Sequence, residues 1–316
     1  MKNSLWSIVL AGGDGTRLRP LVQRIHSDGR PKQYAVIVGS RSLLKQTLDR
    51  SALGIPPERT VVVATRSHER FFANEFSGVA KVLIQPVGRG TAAGILLPAQ
   101  WISWMDPTAT VAVFPSDHFI ADDAAFMREI HRVAGFAECH PERIFLLGAR
   151  PDSPETGYGW IEPGAECGDR DIHLVNRFWE KPSPETAKAC MEHGCLWNTF
   201  IMVARVSTLI DAGRRALPLL HERLTQIRSC WGSDGESGSI ERAYRSIPEA
   251  NFSDSVLARF PSLLAVAALP ALTWSDWGTP ERVLESLRNE GLEPGWLASP
   301  LPALSNQDRV GLETSA

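Results

Sequence analysis

Short apolar and β-branched runs recur through the first half of the chain, at 7–10, 60–64, 81–84, 110–114 and 144–148. Runs that stay apolar at consecutive positions are expected of strands buried on both faces of a sheet. Between them lie segments with helical spacing of apolar positions, at 42–51, 67–76, 91–105 and 122–138. Ser67 and Thr91 stand where helix N-caps belong, and Asp122, Asp123 and Glu129 suit the positive end of the last helix. Strands separated by helices predict βαβ units and a parallel sheet covered on both faces. Beyond residue 150 the alternation loosens. Segments 160–161, 172–179 and 197–203 predict strands of a mixed sheet, and 207–216, 218–228 and 240–246 predict helices. A strand at 264–269 and a helix at 280–289 follow. The expected organisation is one α/β unit over 1–290 with a docked or frayed C-terminal tail over 291–316, where Pro294, Pro300 and Pro302 fall.

Composition narrows the class. The 316 residues are 43% apolar and 22% charged, as in a soluble globular protein with a sizeable core. A net charge of -3 argues against a general nucleic-acid coat, so no nucleic-acid partner is expected. The charge is unevenly spread, with nine Lys/Arg against three Asp in residues 1–50 and 24 cations against 33 anions in the rest. A basic N-terminal segment on an acidic body points to a local anion site. Cys139, Cys167, Cys190, Cys195 and Cys230 are odd in number and form no C-x-x-C pair, which predicts free thiols in a reducing cytoplasm. Cys190, His193 and Cys195 lack a fourth ligand at a zinc-site spacing and are read as buried or incidental groups. No apolar run reaches the roughly 18 residues that span a bilayer, so no membrane partner is expected. Segment 5–11 runs straight into glycines without a cleavage pattern and is read as a buried strand, not a secretory signal.

The sharpest local feature is Ala11-Gly12-Gly13-Asp14-Gly15-Thr16-Arg17-Leu18, directly after the first expected strand. Three glycines in four positions allow positive φ and close backbone approach, with amide N–H groups free for phosphate oxygens. Strand C-terminal ends are where open α/β sheets bind ligands. Leu18 stands where a dinucleotide fingerprint needs glycine, and Gly15-Thr16-Arg17 where a P-loop needs G-K-[ST], so neither applies. Arg17, Arg19, Arg30 and Lys32 close behind favour phosphate binding over a merely tight turn.

Residues 10–20 (L-A-G-G-D-G-T-R-L-R-P), followed by Arg30-Pro31-Lys32-Gln33, strongly resemble the signature of sugar-1-phosphate nucleotidyltransferases, specifically mannose-1-phosphate guanylyltransferases. Gln85-Pro86-Val87-Gly88-Arg89-Gly90-Thr91-Ala92 and Pro115-Ser116-Asp117-His118 match in the family's order. Thr156-Gly157-Tyr158-Gly159-Trp160-Ile161, Glu180-Lys181-Pro182, Trp197-Asn198 and Trp274-Ser275-Asp276-Trp277-Gly278 continue it, so the resemblance covers roughly residues 4–285. It implies a Rossmann-like nucleotide-diphospho-sugar transferase (GT-A-like) fold, with a mixed, mostly parallel central sheet flanked by helices. It also implies transfer of a nucleotidyl group from a nucleoside triphosphate to a sugar 1-phosphate, with GTP and mannose 1-phosphate as the expected pair. A homodimer is compatible with it.

The same resemblance assigns roles. Arg17, Lys32 and Asp117 are the implied catalytic residues, Arg17 holding the triphosphate and Lys32 reaching the phosphates at the reaction centre. Leu10, Ala11, Gly12, Gly13, Gly15, Thr16, Gln85, Arg89 and Thr91 are implied at the nucleotide. Gly157, Glu180, Lys181 and Asn198 are implied at the sugar phosphate, with Asp117 and Asp276 holding Mg²⁺ through hard oxygen ligands. The bland alternatives are that Asp117 caps the following helix and Asp276 stabilises a turn. Two carboxylates brought to one sheet edge would repel each other without metal, so removing one should leave stability nearly untouched. His118 is read as structural, because an attacking phosphate is already anionic. The chain departs from the family pattern at Thr199-Phe200 after Asn198, where a glycine is usual, at Gln85 for Glu and at Gly90 for Asn. Another substrate pair (UTP, dTTP or ATP with glucose 1-phosphate or a heptose phosphate) is the alternative enzyme reading. A catalytically silent nucleotide-sugar-binding regulator is the alternative from a different class.

Overall fold

Side chains alternate across a strand, and in the first one this alternation feeds two cores. In β1 (Leu5–Ala11), Trp6 and Ile8 enter one apolar cluster while Val9 and Ala11 enter another. The neighbouring β2 (Thr60–Thr65) and β4 (Thr110–Pro115) divide their residues in the same way, and both are buried along their whole length. This is the double burial expected from their uninterrupted apolar runs.

The computed structural model describes residues 4–72, 75–168 and 171–298. The remaining strands are β3 (Lys81–Gln85), β5 (Phe119–Ile120), β6 (Ile144–Ala149), β7 (Gly159–Glu166), β8 (Ile172–Glu180), β9 (Leu196–Arg205), β10 (Leu264–Ala268) and β11 (Trp274–Ser275). The helices are α1 (Arg19–Ile25), α2 (Leu43–Ala52), α3 (Gly90–Met105), α4 (Asp123–Cys139), α5 (Pro184–Glu192), α6 (Val206–Ala216), α7 (Pro218–Thr225), α8 (Glu236–Tyr244) and α9 (Pro280–Asn289). Among the described residues the main sheet has nine strands in the order β3-β2-β1-β4-β9-β6-β10-β8-β7, and β5 pairs with β11 in a separate ribbon. Only β8 and β9 run against the other seven strands of the main sheet. Helices α3, α6, α7 and α8 contribute to the cluster on one face, and α2 and α4 to the other.

A third, smaller cluster gathers Leu18, Leu21, Val22, Ala35, Ile37, Phe119, Trp277 and Val283. Phe119 and Trp277 stack there with ring centroids 4.7 Å apart. Leu292, Trp296 and Leu297 pack onto the same cluster, and Trp296 Nε1–H donates to the Ile37 carbonyl at 2.8 Å. The described part of the expected tail is therefore docked, while 299–316 lie outside the described residues.

Several local expectations are corrected. The helix expected at 67–76 is a 3₁₀ turn, Arg66–Phe71, without a side-chain cap from Ser67, and 73–74 lie outside the described residues. Thr91 is not an N-cap: α3 begins at Gly90, and the Thr91 hydroxyl instead accepts from Phe252 N–H at 2.8 Å and donates to Asn251 Oδ1 at 3.3 Å. Asp122 does cap α4, its carboxylate accepting from Ala125 N–H at 2.8 Å, which leaves Asp117 without that task. The helix expected at 240–246 begins earlier, at Glu236, and the helix expected at 218–228 gives way to a 3₁₀ turn at Gln226–Cys230. No helix among the described residues is long and apolar enough to cross a membrane.

Candidate active site

Parallel pairing of β1 with β4 sets Leu10 opposite Pro115, so the loops leaving both strands emerge side by side. The Ser116 hydroxyl ties them together by donating to the Leu10 carbonyl at 2.6 Å. Gln33, buried below the first loop, donates to the carbonyls of Ala11 (2.9 Å) and Gly13 (2.8 Å). Gly15 has φ 58°, and a Cβ there would lie 2.7 Å from the Lys32 Cβ. Glycine therefore serves twice, permitting the left-handed turn and letting Lys32 pass directly under the loop.

Lys32 is only 4% exposed. Its ammonium donates to Asp117 Oδ2 at 3.1 Å and to the backbone carbonyl of Asp276. One buried cation thus joins a residue after β4 to a residue after β11. The Arg17 guanidinium, 59% exposed, meets Asp276 Oδ2 at 3.2 Å. Asp276 Oδ1 accepts from the Tyr158 hydroxyl at 2.5 Å and from Gly278 N–H at 2.8 Å. Asp276 therefore does stabilise its own turn, as the bland reading held, but it also faces two other segments of the site. The two carboxylates do repel each other, but they are not left uncompensated as expected: Lys32 pairs with Asp117, Arg17 meets Asp276, and the Tyr158 hydroxyl donates to Asp276.

The electrostatics follow from these contacts. Burial disfavours the Asp117 charge, yet the Lys32 ammonium, helped by His118, holds the carboxyl below its usual range while nearby Asp276 pushes it up. Burial also works against Asp276, and the Tyr158 hydrogen bond, with His118, Lys32 and Gly278 N–H, brings its carboxyl below the usual range. Burial pushes His118 down to about 4, against the pull of Asp117 and Asp276, so its ring is neutral near pH 7. The Tyr158 hydroxyl is raised by burial and by Asp276 and stays protonated as a donor. Its ring lies under the Arg282 guanidinium (4.5 Å), which pairs with Glu155 at 2.5 Å.

Two cavities flank this knot of charges. One, of 220 Å³, is lined by Gly15, Thr16, Arg17, Lys32, Asp117 and Gly278. The other, of 130 Å³, brings Gly157, Glu180 and Asn198 together with Asp276. Burial and the nearby Asp254 raise the Glu180 carboxyl. Lys181 begins the turn after β8 with φ 44°, its N–H donating to the Tyr158 carbonyl at 3.2 Å. Gln85, Arg89 and Thr91 line neither cavity and form a third group. The Tyr244 hydroxyl donates to Gln85 Oε1 at 2.9 Å, and Arg89 donates to the Tyr244 carbonyl at 3.2 Å. Gln85 still borders the glycine loop, since a Cβ on Gly12 would sit 2.7 Å from its Nε2. Trp160 is fully buried core. Sequence reasoning missed Tyr158, Glu155, Arg282, Tyr244 and Asn251. Tyr158 stood inside a quoted motif, whereas the others carried no local signal.

A glycine loop at a strand end, a buried lysine between two carboxylate-bearing loops and an adjoining carboxylate–carboxamide cavity are the features expected of an α/β protein that handles phosphate. The chain belongs to the nucleotidyl transferase family, whose sequence model matches residues 6–290. It is 30% identical over 290 residues to the xanthan biosynthesis protein XanB of Xanthomonas campestris pv. campestris (strain B100), covering 90% of this chain and 60% of that protein. It is 29% identical over 289 residues to the mannose-1-phosphate guanylyltransferase of Escherichia coli (strain K12), covering 88% and 59%. A crystal structure from Thermus thermophilus, described as mannose-1-phosphate geranyltransferase, matches with a TM-score of 0.78 at 28% identity, covering 92% of this chain and 80% of that one. The GT-A-like architecture implied by the resemblance is the observed one. The chain spans about 60% of the length of the curated relatives.

Proposed function

We propose that the protein transfers a nucleotidyl group from a nucleoside triphosphate to a sugar 1-phosphate in the cytoplasm, with GTP and mannose 1-phosphate as the substrate pair. The observation that carries this reading is Lys32, buried under the glycine loop and joined to both Asp117 and Asp276. The names of the curated relatives support the choice of sugar and base. In the reaction a phosphate oxygen of the sugar 1-phosphate bonds to the α-phosphorus, the bond from that phosphorus to the bridging oxygen breaks, and pyrophosphate leaves. Two anions must approach, so cations do more for the rate than a base would. The loop amides and Arg17 hold the triphosphate, and Lys32 sits where charge accumulates. Lys181, Glu180 and Asn198 receive the sugar phosphate. His118 is neutral at pH 7 and no proton removal is asked of it.

The donor set fits Mg²⁺. Asp117 and Asp276 are hard oxygen donors on two loops that meet at Lys32, beside a 220 Å³ cavity open to phosphate and water. When bound there, Mg²⁺ would supply neutralisation of the phosphate charge. Four nucleoside triphosphates tested against mannose 1-phosphate and glucose 1-phosphate, following pyrophosphate release, test the reading. GTP with mannose 1-phosphate is expected to be fastest. Faster turnover of glucose 1-phosphate with UTP or dTTP replaces the substrate pair and keeps the reaction, and no pyrophosphate from any pair removes both.

A further inference from the structure

Among the described residues, three other than glycine hold a left-handed backbone: Lys181 (φ 44°), Phe200 (φ 59°) and Trp277 (φ 44°). Side chains rarely accept this conformation, and such strain gathers at functional sites. Lys181 is itself proposed at the sugar phosphate, and Trp277 follows Asp276. Phe200 has neither excuse, although it borders the same 130 Å³ cavity as Glu180 and Asn198.

Its conformation comes from a bulge. Strands β6 and β9 pair at Leu146 with Met202 and again at Gly148 with Asn198, so residues 199–201 stand against Leu147 alone. The Thr199 hydroxyl donates to the Leu147 carbonyl at 2.6 Å, and Phe200 N–H donates to Asn198 Oδ1 at 3.1 Å. The second bond orients the Asn198 carboxamide, because its oxygen is engaged and its Nδ2–H groups remain to donate. The bulge therefore does two things at once: it fixes a polar donor and places a half-buried aromatic residue, packed on the apolar cluster of one sheet face, at the edge of the same cavity.

We infer that Phe200 determines which sugar 1-phosphate the site accepts, its ring taking a C–H face of the hexose and rejecting isomers that press a hydroxyl against it. The inference rests on the nucleotidyl-transfer reading above. A hydroxyl directed at Glu180 or at Asn198 Nδ2 exchanges water for a protein partner. One directed at the Phe200 ring loses water and gains none, and such unpaired groups are what make polar sites selective.

The test compares wild type, Phe200→Gly and Phe200→Ala, using the nucleoside triphosphate that wild type uses best with mannose, glucose and galactose 1-phosphates. Glycine deletes the ring and relieves the backbone, whereas alanine deletes the ring and keeps the strain. In both variants the kcat/KM ratio between the preferred hexose and the next should fall about ten-fold or more, while KM for the nucleotide stays near the wild-type value. An unchanged ratio in folded, active variants overturns the inference and leaves the nucleotidyl-transfer reading standing. Where a variant binds without reacting, the ratio is taken from calorimetric dissociation constants, and an unchanged preference again overturns it. A wild type that turns over none of these sugars with any nucleotide removes the underlying reading and this inference with it.

Discussion

Replacing Asp117 with alanine should destabilise the fold through Lys32. The lysine is 4% exposed on its side chain and the aspartate 34%, at 3.1 Å separation. Removing one member of a fully buried pair costs about 3–5 kcal/mol, because an uncompensated charge is left behind. Here Asp117 is partly wetted and the Asp276 carbonyl still accepts from Lys32. The cost is therefore nearer that of one charge-assisted hydrogen bond, about 1.5–3 kcal/mol. For a domain of this size that lowers the melting temperature by about 2–5 °C. Differential scanning calorimetry at pH 7 without ligand measures it. The decisive comparison is Lys32→Met with Asp117→Ala, which removes both charges and should recover most of the loss. If Asp117→Ala melts within about 1 °C of wild type, or the double variant is no better than the single, Lys32 does not depend on Asp117 and the compensated-site argument fails.

Tyr158→Phe deletes the hydroxyl that donates to Asp276 at 2.5 Å. A charge-assisted bond of about 1.5–3 kcal/mol predicts a loss of about 10- to 150-fold in kcat/KM, with the fold intact by circular dichroism. Unchanged kinetics would show that Asp276 is held without it. His118 titrates at about 4 when folded against an ordinary value of 6.5, so between those values the unfolded chain binds the extra proton. Stability therefore falls as pH falls through that window, by about 1.4 kcal/mol per unit. Urea unfolding at pH 7, 6 and 5 should show a shallower decline in His118→Gln, and an equal decline would place the acid sensitivity elsewhere. Gly15→Ala forces a side chain onto φ 58° and a Cβ within 2.7 Å of Lys32 Cβ. It should lower the melting temperature by several degrees and pyrophosphate release by about ten-fold or more, and normal activity would refute the close-packing argument.

The central strands were legible because double burial writes them as uninterrupted apolar runs, and β1, β2 and β4 fall within a few residues of expectation. The two-residue strands β5 and β11 are too short to leave any period, yet they deliver Asp276. The glycine loop, Lys32, Asp117 and Asp276 were legible as motifs, but their mutual contacts were not. The lysine that offsets the expected repulsion lies 85 residues from Asp117, and Tyr158 lies 118 from Asp276. Likewise the 159-residue separation of Gln85 and Tyr244 hides the partner that fixes the glutamine. Thr91 misled for a related reason, since a hydroxyl at a helix start is an equally good partner for a distant loop. Such pairings come from the sheet order, which no local pattern encodes.

Trp296, bonded to the Ile37 carbonyl and packed on the cluster that contains Trp277, sets where this unit can be cut or joined. A fragment ending at the last turn of α9 would strip Leu292, Trp296 and Leu297 from the apolar cluster that holds Leu18 and Trp277, the residues next to Arg17 and Asp276 in the chain. A tag, reporter or second module is therefore better attached beyond residue 298, behind the docked tryptophan, so that this cluster keeps its cover.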